Sequence, residues 1–188
     1  MTGTVYIPNN LTPMQRGKVA IFQRLEPIYA AYGFAVSSFS GVEQGLLSVS
    51  IFIEEKEVRE AIQDYWKTSS AGGKFSRIKK LLNSSTTINN GKEWSVLSAR
   101  VSAAIDVRND LAHGEVAEIH TSTTHSQAGC FARLGKVASL GDLTWNSELK
   151  MLEGCNFYNT TQLMEAGVEF VDLSEALFGF ANKMAARE

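Results

Sequence analysis

Apolar residues along this chain recur mostly at helical spacing. Val19, Phe22, Leu25, Tyr29 and Tyr32 follow one another at intervals of three and four, which keeps one side of a helix apolar. Thr12-Pro13-Met14-Gln15 opens that stretch with a capping-box pattern and a proline at the first helical position. Pro27 lies inside the stripe and predicts a kink or a break there. A second set, Phe39, Val42, Leu46, Val49 and Ile53, repeats in the same way. Val49 to Phe52 alone also fits a strand, but a period sustained over several turns favours helix. The pattern continues through Val58, Ile62 and Tyr65 after a bend near Glu54 to Lys56.

Ser69-Ser70-Ala71-Gly72-Gly73 has the composition of a loop. A short amphipathic helix follows with Phe75, Ile78, Leu81 and Leu82, then a polar, turn-rich segment from Ser84 to Gly91, and a further helix from about Trp94. Beyond Gly114 the chain is polar through Gln127, and the segments Cys130 to Leu134 and Leu143 to Leu149 read as a hairpin. A long amphipathic helix starting at Asn159 or Thr160 closes the chain with Phe170, Leu173, Leu177, Phe180 and Met184 on one face. The expectation is an all-α protein: an up-and-down bundle of about five helices, with a small β-hairpin or irregular insertion at about 115–155. The 188 residues, 44% hydrophobic and 20% charged, suffice for one sizeable core, so a single domain is expected over 1–188, with 1–11 as an N-terminal extension.

One residue breaks the helical pattern. The stripe Leu97, Val101, Ala104, Arg108, Leu111 places an arginine where an apolar side chain is expected. A guanidinium is charged at any working pH. In that position it implies an anionic partner, a polar cavity, a second subunit, or a side chain that snorkels to water. His113 follows five residues later, and Gly114 fits a glycine in left-handed conformation just past a helix end. Asn109 and His113 are four apart and share a face. Arg108 and His113 lie roughly 140° apart around an ideal helix, so they meet on one ligand only where the helix frays or across a dimer.

The run Arg108-Asn109-Asp110-Leu111-Ala112-His113-Gly114 resembles the Arg-(four to six residues)-His motif of HEPN domains, with the usual polar residue, here Asn109, after the arginine. The resemblance rests on this short motif, and the rest of the chain from about Thr12 is compatible with that family's helical layout. It implies a metal-independent endoribonuclease, a toxin or defence component, in which two motifs commonly meet across a homodimer formed through the motif helix. His113 would then be general base or acid, since an imidazole titrates near ~6.5. Arg108 would hold the scissile phosphate and stabilise its developing charge, with Asn109 orienting. The nucleophile would be the RNA 2′-hydroxyl, leaving a 2′,3′-cyclic phosphate. Both motif side chains should border one polar cleft. The competing reading is a non-catalytic module that binds nucleotide, RNA or another protein. Any antitoxin or regulator would be encoded separately.

Charge and the remaining candidates alter this only locally. A net charge of −2 provides no overall field for nucleic acid. The basic cluster Lys74, Arg77, Lys79 and Lys80 is a candidate substrate-binding patch, set against the ordinary wet side of a short helix. Glu43 and Asp110 are candidate supporting residues, Glu43 by reaching a neighbouring arginine. His113, His120, His125 and Cys130 fall within eighteen residues, but their loose spacing lacks the paired pattern of a zinc site. Ala71-Gly72-Gly73-Lys74 lacks P-loop spacing, and there is no serine nucleophile elbow. No metal or other cofactor is expected. With no charged leader and no apparent apolar run near the ~20 residues that span a bilayer, a cytoplasmic location without membrane contact is expected, with Cys130 and Cys155 as free thiols.

Overall fold

The opening capping box forms as written. Thr12 Oγ1 accepts from the Gln15 backbone N–H at 3.3 Å, and Gln15 Oε1 accepts from the Thr12 N–H at 2.8 Å, satisfying donors that a helix end leaves orphaned. From here α1 runs over Pro13–Ile53 without interruption. The structure is a computed structural model that describes residues 12–54, 56–84, 91–120, 126–133, 144–146 and 151–186; the 1–11 extension and most of the 84–91 turn lie outside the described residues.

Pro27, where a kink or a break is expected, therefore does not break the helix. Pro27 is exposed, on the side of the helix away from the core, where a missing backbone donor costs least. Val49 is helical and fully buried, which disposes of the strand alternative. Leu25, Phe39, Val42, Leu46 and Val49 are buried as the spacing predicts; between Leu25 and Phe39 the buried face is Ile28, Ala31 and Ala35, with Tyr29 turned outward. Small residues decide this, because Ala31 and Ala35 admit neighbouring helices more closely than the tyrosines would. Contrary to the expected lack of a long apolar run, Gln23–Ile53 is long and apolar enough to cross a membrane by length and composition. Its glycines and serines disguise the run in the sequence. Here its buried side packs against the other helices.

The bend at Glu54 to Lys56 leads into α2, Val58–Lys67, and α3 follows at Ala71–Ser84. Gly72 and Gly73, expected in a loop, form the first turn of α3. The Gly73 N–H donates to Ser70 Oγ at 3.1 Å, and first-turn donors need such a cap rather than an intrahelical partner. Helix α4 spans Gly91–His113.

The described residues after α4 form more strand than their polar composition implies. Strands β1 (Glu115–His120), β2 (Ser126–Arg133) and β5 (Cys155–Tyr158) form an antiparallel sheet in the order β1-β2-β5, while β3 (Thr144–Asn146) and β4 (Met151–Glu153) pair separately. The expected hairpin between Cys130 to Leu134 and Leu143 to Leu149 is therefore corrected. β2 pairs with β1 and β5 instead. Phe131 and Phe157 pack across β2 and β5 with ring centroids 4.8 Å apart, a cross-strand aromatic pair that ties the two strands together.

Helix α5, Thr160–Ala185, starts at a second capping box, in which Asn159 and Gln162 exchange bonds of 2.9 Å. It runs parallel to α1. Phe34 faces Gly167, Gly41 faces Ser174 and Gly45 faces Leu177, the two numbers rising together. Helix α4 is antiparallel to both: Tyr32 Oη donates to the Leu111 carbonyl at 2.9 Å, Arg100 meets Glu169 at 2.8 Å, and Trp94 packs on Phe180. Leu25, Ile28, Leu111, Cys130 and Leu163 form a second apolar cluster that seats the sheet on one end of the bundle. The fold is mainly helical, with an antiparallel insertion between α4 and α5.

Candidate functional site

The C-terminal end of α4 reaches that same end of the bundle. Leu97, Val101, Ala104 and Leu111 are buried as the stripe predicts, and Arg108 between them is half-buried. Its guanidinium carbon lies 6.0 Å from the Phe39 ring centroid. Its Nη1 donates to Asn109 Oδ1 at a long 3.4 Å. Among the described residues no carboxylate pairs with Arg108. Its charge is nonetheless felt nearby: burial and Cys130 push the Tyr32 hydroxyl pKa up, and Arg108 pulls it the other way.

His113 ends the helix and is exposed, one turn beyond exposed Asn109. Arg108 and Asn109 are brought together, whereas His113, on the face of Asn109, lies roughly 140° around the helix from Arg108. Gly114 does not take the expected left-handed conformation. Among the described residues the glycine with positive φ is Gly154, at 86°. The Gly114 N–H donates to the Leu111 carbonyl at 3.2 Å. A Cβ there would lie 2.8 Å from the Asp110 carbonyl oxygen and clash with Cys130 Sγ, so glycine serves the close approach of β2.

Asp110 holds α4 to the sheet. Its Oδ2 accepts from Asn156 Nδ2 and from Tyr158 Oη, both at 2.7 Å. Burial and this bond raise the Tyr158 pKa. Together with Tyr32 on Leu111, these bonds fix the last turn of α4 from two sides. Neither Asn156 nor Tyr158 carries a local signal in the sequence, being 46 and 48 residues away from Asp110.

Cys130 and Cys155 are both unbonded and buried. Burial, with Asp110 nearby, pushes the Cys130 thiol up to about 11. At about pH 8 the thiolate is then roughly 100-fold scarcer than for an ordinary cysteine. Alkylation by iodoacetamide, followed by intact mass, is expected to be slower by at least that factor in native protein than in denaturing urea. Equal rates would contradict the burial.

The basic cluster divides. Lys74 is 4% exposed, bonds Glu43 Oε1 at 2.8 Å and lies 3.9 Å from the Trp66 ring centroid. Arg77 bonds Glu54 Oε2 at 2.7 Å and approaches Asp64. Both hold α3 to its neighbours, and Glu43 serves Lys74 rather than an arginine. Lys79, stacked over Phe75, and Lys80 remain on the outer side. Lys74→Ala is therefore expected to lower stability by about 1–2 kcal/mol, since Glu43 is partly exposed and can rehydrate. It should leave the salt dependence of any RNA binding unchanged, as a titration at several salt concentrations would read.

A cavity of about 280 Å³ lies between α3 and the start of α4, lined by Lys79, Asn83, Trp94 and Ser98. It is at the other end of α4 from Arg108. Of the motif side chains, Asn109 and His113 are exposed and Arg108 is half-buried. Of the four histidine and cysteine positions weighed as ligands, His125 lies outside the described residues, while Cys130 is buried and His113 exposed on a different element. No family model, curated protein or solved structure matches this chain.

Proposed function

We propose that the chain is a HEPN-like, metal-independent endoribonuclease acting at the C-terminal end of α4 as a homodimer. The observation that carries this reading is Arg108: a half-buried guanidinium within an apolar stripe, with no carboxylate partner among the described residues, one turn from an exposed histidine. An unneutralised arginine of that kind suits a phosphate. His113 removes the proton from a 2′-hydroxyl, whose oxygen attacks the adjacent phosphorus. The P–O5′ bond breaks, and the proton is returned to the departing 5′-oxygen. Arg108 stabilises the charge on the phosphoryl oxygens, and Asn109 orients its guanidinium. The roughly 140° between Arg108 and His113 on one helix is bridged by supplying the two groups from different copies. The protein acts in the cytoplasm, and a separately encoded antitoxin or regulator restrains it.

The open surface around His113 favours one other reading, a module that binds RNA or nucleotide without cleaving. The two separate on an end-labelled RNA and the same RNA with one 2′-deoxy nucleotide at the cleaved position. The nuclease cuts the first to a 2′,3′-cyclic phosphate and a 5′-hydroxyl, and spares the second at that position. Cleavage of both alike, or of neither, would overturn the proposal.

A further inference from the structure

Among the described side chains of α1, Leu25 is the first that is fully buried; Val19 before it is half-buried. The register explains this: Phe34 opposite Gly167 and Gly45 opposite Leu177 bring the first residue of α5, Thr160, level with about Pro27. Residues 13–24 thus project past the start of α5 as a helical arm of about 18 Å. Met14, Lys18 and Ile21 lie at intervals of four and three that lead on to Leu25, so they continue the buried face of α1 outward. Yet Met14 is 72% and Ile21 51% exposed. The arm contains Arg16, Lys18 and Arg24 and no acidic residue; Arg24 meets Glu118 of β1 at its base.

A second uncovered face lies on α5. Met164, Val168, Val171 and Phe178 recur at intervals of four, three and seven, and all are exposed, Val168 at 51%. Exposed Glu165, Asp172 and Glu175 border them. From Met164 to Phe178 the stripe is about 21 Å long. It matches the arm in length and opposes it in charge. The arm cannot cover the α5 of its own chain, because it continues the helix in the direction away from α5.

We propose that a second copy of this chain covers both faces: the arm of each copy lies along α5 of the other, with Met14 and Ile21 on Met164, Val168 and Val171, and Lys18 facing Glu165 and Asp172. The exchange is two-fold and self-complementary, the closed arrangement that most homodimers adopt. The arm and the Met164 end of the stripe lie at the end of the bundle that holds the Leu25, Leu111 and Leu163 cluster, which is also the end bearing Arg108 and His113. The interface stands independently of RNA cleavage.

Light scattering coupled to size exclusion at micromolar concentration tests it. Wild type should have twice the 20.6 kDa chain mass. Lys18→Glu and Glu165→Lys/Asp172→Lys should each weaken the dimer at least tenfold while keeping the wild-type circular dichroism. Mixed together, the two variants should form a heterodimer, since both arm contacts then regain opposite charges. A monomeric wild type, a dimer indifferent to both reversals, or failure of the folded variants to pair on mixing would overturn the proposal.

Discussion

Replacing Gly45 with leucine is expected to destabilise the fold by about 3 kcal/mol, at the upper end of overpacking costs. Helices α1 and α5 run parallel with Gly41 and Gly45 at their contact. A Cβ built on Gly45 would lie 2.7 Å from the Leu177 Cβ and 3.3 Å from the Ser174 carbonyl oxygen. These atoms belong to or adjoin the backbone of α5 and cannot swing aside, so the helices must separate. Separation would unpack Phe39 from Phe170, whose rings meet edge to face at 5.4 Å. Even Gly45→Ala should lower stability by about 1 kcal/mol or more, despite the roughly 1 kcal/mol that alanine gains over glycine in a helix. Gly33 is the control. Nothing lies within 4 Å of its added Cβ, so Gly33→Ala should stabilise by up to about 1 kcal/mol. Urea unfolding midpoints read both signs, and a higher midpoint for Gly45→Ala would contradict the tight crossing.

That crossing is an instance of what a sequence does and does not disclose. The starts of α1 and α5 were legible because capping boxes act over three residues. The α4 stripe was legible because several buried positions share one period. Pro27 misled because its effect depends on whether its ring meets core or water, which is set by α5 over a hundred residues away. Gly72 and Gly73 have the composition of a loop, and the Ser70 cap on the Gly73 N–H is what holds them in a helical turn. β1 has a weak sequence signal because half-exposed residues such as Val116, Ala117 and Glu118 dilute the alternation that marks a strand.

The candidate site divides in the same way. Arg108 stood out because its anomaly is local, a charge within an apolar period. Asp110 gave no such signal; its partners Asn156 and Tyr158 come from β5, and only the folded chain brings them to α4. Lys74 and Arg77 looked like a solvated basic face, yet Glu43 and Glu54 from α1 turn them inward. Charge runs show where cations are, and tertiary pairing decides which of them remain for a ligand.

Arg108→Ala and His113→Ala are each expected to lower RNA cleavage by on the order of 10²–10⁴-fold in kcat/KM. Loss of a positioned general acid or base costs about that much, and loss of one group that stabilises transition-state charge costs about 10²–10³-fold. Arg108→Lys should recover little of the loss, because an ammonium cannot reproduce a fork of two parallel donors. Both alanine variants should keep their fold. His113 is exposed, and truncating Arg108 removes a half-buried side chain whose only described hydrogen bond is the long one to Asn109. If Arg108 and His113 come from different copies, mixing the two inactive variants should restore roughly a quarter of wild-type activity, because half of the randomly formed dimers then carry one intact site. Continued inactivity of a demonstrably mixed dimer would place both groups within one copy.

The most direct measurement is single-turnover cleavage of end-labelled RNA by the purified chain in excess metal chelator, with Arg108→Ala and His113→Ala run beside wild type. Cleavage by wild type that persists in the chelator and collapses in both variants is the predicted result. Absence of cleavage by every form, abolition by the chelator, or cleavage indifferent to the two substitutions would contradict the account.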